Sequence, residues 1–302
     1  MRVHVFGNVA VDETFRVKSV PEPGESVLAH ARSRDLGGKG ANQAIVAARA
    51  GAVVRLIAVV GNDEAGTWAR EALAAEGIPL DGLQVRPGST DVSVVIVGDD
   101  AENMIVTTKD AATSLSVAAI EAHLAQAREG DLVLLQGNLK ATVTGHVLRY
   151  AQQQGLRTLF NPSPLDQEFG QLLPLVNVVV LNQSEALQLT HTNDITAARE
   201  ALLELGASQA IITLGSAGAV VIDQTGCQLC PAVLVTPIDT TGAGDTFSGV
   251  LGAGIARFGR IEVNAVKAAV EAAALTVTRP GARSALPSRE ELVSILARYA
   301  LL

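Results

Sequence analysis

The sequence predicts an α/β fold, with a mainly parallel sheet covered by helices on both faces and a small β-sheet set apart from it. From Val53 onward the chain largely repeats one unit of apolar strand, loop and helix, the pattern of parallel strands joined by crossover helices. Ahead of that point, two extended segments at 14–20 and 26–36 come before any helix, so they leave the main sheet and form a flap. Asp12, Asn138, Asn161, Asn182 and the turn at 239–245 all fall at predicted strand ends, where open α/β sheets gather their ligand-binding groups.

Bulk composition sets the limits. Of 302 residues, 48% are hydrophobic and 18% charged, enough for a sizeable core and too apolar for disorder. No flexible linker, internal repeat or charge run divides the chain, so a single domain over 1–302 is expected. The net charge of −8 argues against a general nucleic-acid binder, which needs a basic face. It leaves room for an anionic ligand held by a local nest of amides. With no secretory-type leader and no run of about 18 apolar residues, no membrane association is expected, and the cytoplasm is the expected location. Cys227 and Cys230 form a lone C-x-x-C in a hairpin between Gly226 and Pro231. The pair lacks the further ligands of a zinc site and the helix start of a redox pair.

The elements follow in order. A buried strand runs from Arg2 to Val9. The flap, a candidate lid over the site, comprises about 12–36 together with a hairpin within 90–108. Helices are expected from the 37–44 glycine loop to Ala50, from the 61–66 loop through Glu76, and over 115–126, 142–154 and 183–190. Strands are expected at 53–60, 132–136, 157–161, 176–182, 210–214 and 219–223. A strand end at 235–239 leads into a small-residue helix opening at Asp245. Helices at 264–278 and 288–301 close the chain.

Four stretches carry chemistry. In Gly242-Ala243-Gly244-Asp245, bare backbone at a helix start makes an anion hole, and an acidic side chain stands beside it. Such amides hold charge developing on a phosphoryl group, and the carboxylate can take a proton from an attacking hydroxyl; as a plain helix cap Asp245 would have a structural role only. Gly37-Gly38-Lys39-Gly40-Ala41-Asn42-Gln43-Ala44 brings a double glycine and Asn42 to another helix start, either a ligand loop or a simple helix-start loop, and lacks Walker P-loop spacing. Asn182 and Glu185, three apart at a helix start, suit Mg²⁺ held through its waters, or equally a capping box. Gly215 and Gly218 form a second glycine turn, able to offer backbone contacts to a nucleotide.

Together, Gly37–Ala44 and Asp239-Thr-Thr-Gly-Ala-Gly-Asp245 resemble the two signatures of the ribokinase-like (PfkB) carbohydrate kinases, nearest the ribokinase branch. Asn182-x-x-Glu185, Thr213–Gly218 and Thr278-Arg-Pro-Gly281 match in order, so the resemblance spans the chain. It implies a three-layer α/β/α core with a small β lid, and an ATP-dependent kinase acting on a primary hydroxyl of a pentose-like sugar. Asp245 would be the base and 242–244 the anion hole. Asp12, Gly38, Lys39, Asn42 and Asn138 would meet the sugar, and Thr213, Gly215 and Gly218 the nucleotide, with Asn182 and Glu185 near the Mg²⁺. Asp239, Thr241, Thr276, Arg279 and Gly281 resemble a monovalent-cation loop, usually for K⁺. A homodimer through the lid is implied as well. Two positions depart from the ribokinase pattern: Ala10 stands where an Asn is typical, and Asn138 where a Glu is typical. The catalytic half is intact and the sugar pocket altered, which leaves ribose, a deoxysugar, another pentose or a nucleoside as acceptor. A related kinase of another carbohydrate and a sensor without catalysis are the alternatives.

Overall fold

The computed structural model describes residues 1–100 and 102–301. In chain order the elements are β1 (Arg2–Phe6), β2 (Ala10–Val17), β3 (Ala31–Gly37), α1 (Lys39–Arg49), β4 (Val53–Gly61), α2 (Glu64–Ala75), β5 (Leu83–Arg86), β6 (Asp91–Gly98), β7 (Asn103–Thr107), α3 (Asp110–Thr113) and α4 (Val117–Leu124). There follow β8 (Leu132–Gln136), α5 (Ala141–Gln153), β9 (Arg157–Asn161), β10 (Val178–Asn182), α6 (Gln183–Thr190), α7 (Ile195–Glu204), β11 (Gln209–Thr213), β12 (Ala219–Asp223), β13 (Gly226–Cys230), α8 (Ala243–Phe258), α9 (Val263–Thr276) and α10 (Arg289–Arg298).

Nine strands form the main sheet in the order β13-β12-β11-β10-β9-β8-β1-β4-β5. From β5 to β11 the neighbours run parallel; β12 and β13 turn back antiparallel at one edge. Side chains alternate across the central strands. Val3 and Val5 face one apolar cluster with Leu56, Val250 and Val266, while Phe6 faces a second with Leu135, Phe160 and Leu181. The sheet is therefore buried on both faces, as parallel sheets are. A separate four-stranded sheet, β3-β2-β6-β7, stands off the carboxyl edge of β1.

Four details differ from the sequence expectation. Asp12 is the third residue of β2, in the small sheet, rather than a group at the end of β1, because the chain leaves the main sheet at Gly7 and pairs with β3 and β6 instead. The 235–239 segment is irregular: the amides of Ile238 and Asp239 both donate to Val277 O just past α9, which takes them out of any ladder. The expected helix over 115–126 is present as α4, but a short helix α3, absent from the expectation, stands ahead of it where the buried Asp91 carboxylate accepts the Ala111 and Ala112 amides. Edge strand β5 and helix α7 escaped the sequence reading altogether.

Cys227 and Cys230 lie three apart on β13, so they point to opposite faces, the first exposed and the second buried. Among the described residues, no helix is long and apolar enough to cross a membrane.

Candidate active site

The cleft between the two sheets has a volume of about 960 Å³ and is lined by groups from far-apart segments: Asp12, Asn42, Asn182, Glu185, Thr213 and 240–245 among them. Both glycine signatures open into it.

Helix α8 starts at Gly242, whose φ of +79° lies in the left-handed region. An added Cβ there would meet only ordinary contacts at 3.5 Å, so conformation rather than space demands glycine. At Gly244 neither constraint applies: a Cβ would have nothing within 4 Å, and the residue borders the cleft. Ala243 N donates to Thr240 O at 3.3 Å, whereas the next amides, of Gly244 and Asp245, belong to the first helical turn and lack intrahelical acceptors.

Asp245 is buried, and both its oxygens are held from α1. Asn42 Nδ2 donates to Oδ2 at 3.0 Å, and Gln43 Nε2 donates to Oδ1 at 3.0 Å. Asn42 Oδ1 is buried without a protein partner, at the wall of the cleft. Seating the start of α1 against the loop after β1 requires glycine at two positions. A Cβ on Gly40 would sit 2.7 Å from Asn8 N, and one on Gly38, at φ +93°, 2.8 Å from Asn8 O. Lys39, first residue of α1, lines the cleft half-buried.

Asp12 enters from the small sheet, opposite Ser93 on β6 and Asp35 on β3. Burial pushes its carboxyl up to about 6; the Ser93 hydroxyl pulls the other way, and the charges of Asp35 and Asp245 add to the rise. Asn138 follows β8 with its Oδ1 buried and unpartnered, facing the same cleft. Ala10 is fully buried at the start of β2 and offers no hydrogen bond from its side chain.

Asn182 and Glu185 form a capping box at α6: the Glu185 amide donates to Asn182 Oδ1 at 2.8 Å, and the Asn182 amide to Glu185 Oε2 at 2.9 Å. Both also line the cleft, so the capping arrangement does not withdraw them from it. Beyond them a cavity of about 270 Å³ is walled by Val233, Leu234, Val235, Phe247, Val270 and Val277 and floored by Thr213, Gly215 and Gly218. Gly218, at φ +100°, would drive a Cβ to 2.1 Å from Cys230 O, so its bareness serves the passage of the chain after β13.

The expected cation loop is drawn together by one carboxylate. Asp239 Oδ1 accepts the Thr241 amide and Oδ2 the Gly281 amide, each at 2.9 Å. Burial would raise this group, yet the two amides hold it below the usual carboxylate range. Thr276 Oγ1 is already engaged by Thr246 Oγ1 and Ala272 O, and the Arg279 guanidinium by Glu291. The side chains of those two residues are therefore engaged elsewhere, and the Thr276 carbonyl accepts the Arg279 amide at 3.1 Å.

Sequence reasoning missed Asn8, Ser93, Gln43 and Gln136 as members of this site. Gln43 lay inside a quoted signature, so position alone could have flagged it; Gln136 was hidden as the last residue of a buried strand.

A nest of helix-start amides, a buried carboxylate beside it, and an apolar cavity next door under one cleft define a small-molecule phosphotransferase. The chain belongs to the pfkB family of carbohydrate kinases, whose family model matches residues 2–289. It is 30% identical to a ribokinase of Haemophilus influenzae, over 97% of each chain. It is likewise 30% identical to a deoxyribokinase of Salmonella typhimurium, over 98% of this chain and 99% of that one. The structure of Arabidopsis thaliana ribokinase complexed with ribose and ATP superposes with a TM-score of 0.85 at 25% identity, covering 98% of both chains.

Proposed function

We propose that this kinase transfers the γ-phosphoryl group of ATP to the primary hydroxyl of a pentose, ribose or 2-deoxyribose, with Asp245 as general base. The observation that carries the reading is the position of the Asp245 carboxylate, which stands at the α8 start between polar groups fit for a sugar and an apolar cavity fit for a purine. Asp12, Gly38, Lys39, Asn42 and Asn138 hold the sugar. Thr213, Gly215 and Gly218 border the nucleotide base, whose apolar faces suit the valine and phenylalanine walls.

In the reaction the sugar oxygen attacks the γ-phosphorus as its proton passes to Asp245. The new O–P bond forms, the bond to the bridging oxygen breaks, and ADP leaves. The helix-start amides at 242–244 take up charge on the transferring group. Asn182 and Glu185 would hold Mg²⁺ through its waters, and the ion would supply further neutralisation of the phosphate charge. The oxygen-only set of Asp239 with the carbonyls of Thr241, Thr276, Arg279 and Gly281 fits a hard monovalent cation such as K⁺, which would brace the turn ahead of Gly242. The small sheet acts as a lid that excludes water, and Val94, Met104 and Val106, exposed on its face away from the cleft, support a homodimer joined through it.

With an alanine at position 10, the pocket has one hydroxyl partner fewer, and a site that does not bond a hydroxyl discriminates weakly against its absence. An ADP-release screen over pentoses, deoxypentoses, hexoses and nucleosides, in K⁺ and in Na⁺, tests the proposal. Ribose and 2-deoxyribose should turn over within about tenfold of each other. Release with nucleosides alone, or with no sugar, would overturn it. Asp245→Asn should lower kcat by about 10²–10⁴.

A further inference from the structure

Behind Asp245 lies a chain of buried side-chain amides that the reaction scheme above leaves unused; of its members Asn161 borders the cleft, while Gln43 and Gln136 do not line it. Gln43 is fully buried. One of its Nε2 hydrogens goes to Asp245 Oδ1 at 3.0 Å and the other to Asn161 Oδ1 at 3.2 Å. Its Oε1 accepts from Gln136 Nε2 at 2.8 Å, and Gln136 is fully buried too. Asn161, the last residue of β9, is fixed in turn, its Nδ2 donating to Val180 O at 3.0 Å. These four residues come from α1, α8, β8 and β9.

The direction of this chain is set by its end. A carboxylate only accepts, so Gln43 must turn its NH₂ toward Asp245 and its carbonyl toward Gln136. Gln136 must then turn its own NH₂ to Gln43, which leaves Gln136 Oε1 buried and unpartnered. That oxygen occupies the place where a side chain at Gly7 would begin: a Cβ there would be 2.0 Å away. The fold thus keeps a bare residue at position 7 and tolerates an orphaned carbonyl, and the result is a row of dipoles aligned on one oxygen of the base. Asn42, by contrast, meets the other oxygen from the cleft side, where a substrate can replace it.

We propose that Gln43, backed by Gln136, is the positioning residue for the base. It pins Oδ1 and fixes the carboxylate plane, so that Oδ2 alone is presented to the attacking hydroxyl. This rests on Asp245 being the base. A reacting oxygen held in place beforehand needs no reorganisation when the proton moves, and a loose one does. The effect belongs to the chemical step, because Gln43 lines neither the cleft nor the apolar cavity.

The test measures steady-state kinetics and melting of the full chain as Gln43→Leu, Gln43→Glu, Gln136→Leu and Asp245→Asn. Gln43→Leu should lose 10- to 100-fold in kcat while KM for sugar and for ATP stays within about threefold. Gln43→Glu should turn over faster as pH falls, opposite to the parent enzyme, since the introduced carboxyl can donate to Oδ1 only when it is protonated. Gln136→Leu leaves Gln43 in place and should lose 3- to 10-fold in kcat, so the idea stays testable should Gln43→Leu fail to fold. A kcat within twofold of the parent in Gln43→Leu, or in Gln136→Leu should Gln43→Leu not fold, overturns it, as does a loss in Gln43→Glu that is the same at every pH. Near-normal turnover of Asp245→Asn would remove the base itself. A dead Asp245→Asn beside an unaffected Gln43→Leu removes only the positioning role.

Discussion

At the scale of single residues, Asp12, proposed above to hold the sugar, is a group kept at a cost to the fold. Its carboxyl is raised to about 6, from burial first, with the Asp35 and Asp245 charges adding to it against the Ser93 hydroxyl. A folded-state value above the unfolded one means that the native protein binds the extra proton. The stability this group contributes is therefore present below about pH 4 and lost as pH rises through 6. After allowance for solvent at the cleft mouth, ionised Asp12 costs about 1–2 kcal/mol at neutral pH. Asp12→Asn should accordingly melt higher than the parent at pH 7.5, with the difference vanishing near pH 4, and thermal scans across that range check it. The same substitution should raise KM for the sugar at least tenfold, because the carboxylate proposed to accept from sugar hydroxyls becomes an amide. In the parent enzyme KM for the sugar should climb as pH drops below 6. Residues of this kind were legible in the sequence where glycine spacing marked them, at 37–44 and 242–245. Gln136 and Asn8 were not, because a lone polar residue at the end of an apolar strand has no period or spacing to betray it.

At the scale of elements, the site depends on how closely α1 and α8 approach. Both helices are rich in small residues, and the sequence made that plain; it could not say which glycine is the contact. Gly249 is: a Cβ there would lie 2.7 Å from the Val46 Cβ and 2.9 Å from Gln43 O. The backbone of Gln43 is one of the obstacles, so relief has to come from moving the turn of α1 that bears Asn42 and Gln43. One turn further along α8, a Cβ on Gly252 would meet the methyls of Leu132, Leu134 and Leu159 at 3.5–3.7 Å, ordinary contact. Gly249→Ala should destabilise the protein by about 1–3 kcal/mol through overpacking and reduce kcat more than tenfold. Gly252→Ala should be neutral or stabilising, by up to about 1 kcal/mol from helix propensity. Denaturant melts and turnover of the pair separate the two, and equal behaviour would refute the role given to Gly249. The repeated strand–helix unit exposed most of the main sheet for a related reason: buried parallel strands are apolar runs with clear breaks. The edge strand β5 carries half-exposed, weakly patterned residues and left no such mark, and nothing local in 235–239 reveals that the Ile238 and Asp239 amides go to the distant Val277 carbonyl just beyond α9.

At the scale of the whole molecule, the small sheet is tied to the core beside the cleft by charge. Asp35 on β3 accepts Arg283 Nε at 2.9 Å and the Ser284 amide at 2.9 Å. Arg283 also reaches Glu76, just past α2, at 2.9 Å, and Glu76 is gripped in turn by Arg49 at the end of α1. Both 283 and 284 lie two or three residues past Gly281, whose amide Asp239 holds, so one short loop connects the sheet carrying Asp12 to the turn that precedes the anion hole. The same pair acts on Asp12 electrostatically. Asp35 stands directly opposite it in the β2–β3 ladder, and its negative charge is one of the causes that raise Asp12. Arg283 offsets that charge at close range. Removing the guanidinium in Arg283→Ala leaves Asp35 and Glu76 less compensated, which should destabilise the fold by about 1–3 kcal/mol. It should also let the full Asp35 charge bear on Asp12, raising Asp12 further above 6. The rise of the sugar KM with falling pH then begins at a higher pH than in the parent, and KM for ATP does not follow it. Arg283→Lys keeps the charge but not the fork, so it should restore the pH dependence of the sugar KM while recovering only part of the stability. A pH series of sugar KM for the parent and both variants decides the matter. An unshifted profile in Arg283→Ala would show that Asp35 does not sense Arg283 on behalf of Asp12, and a profile shifted equally in Arg283→Lys would assign the effect to loop geometry instead of charge.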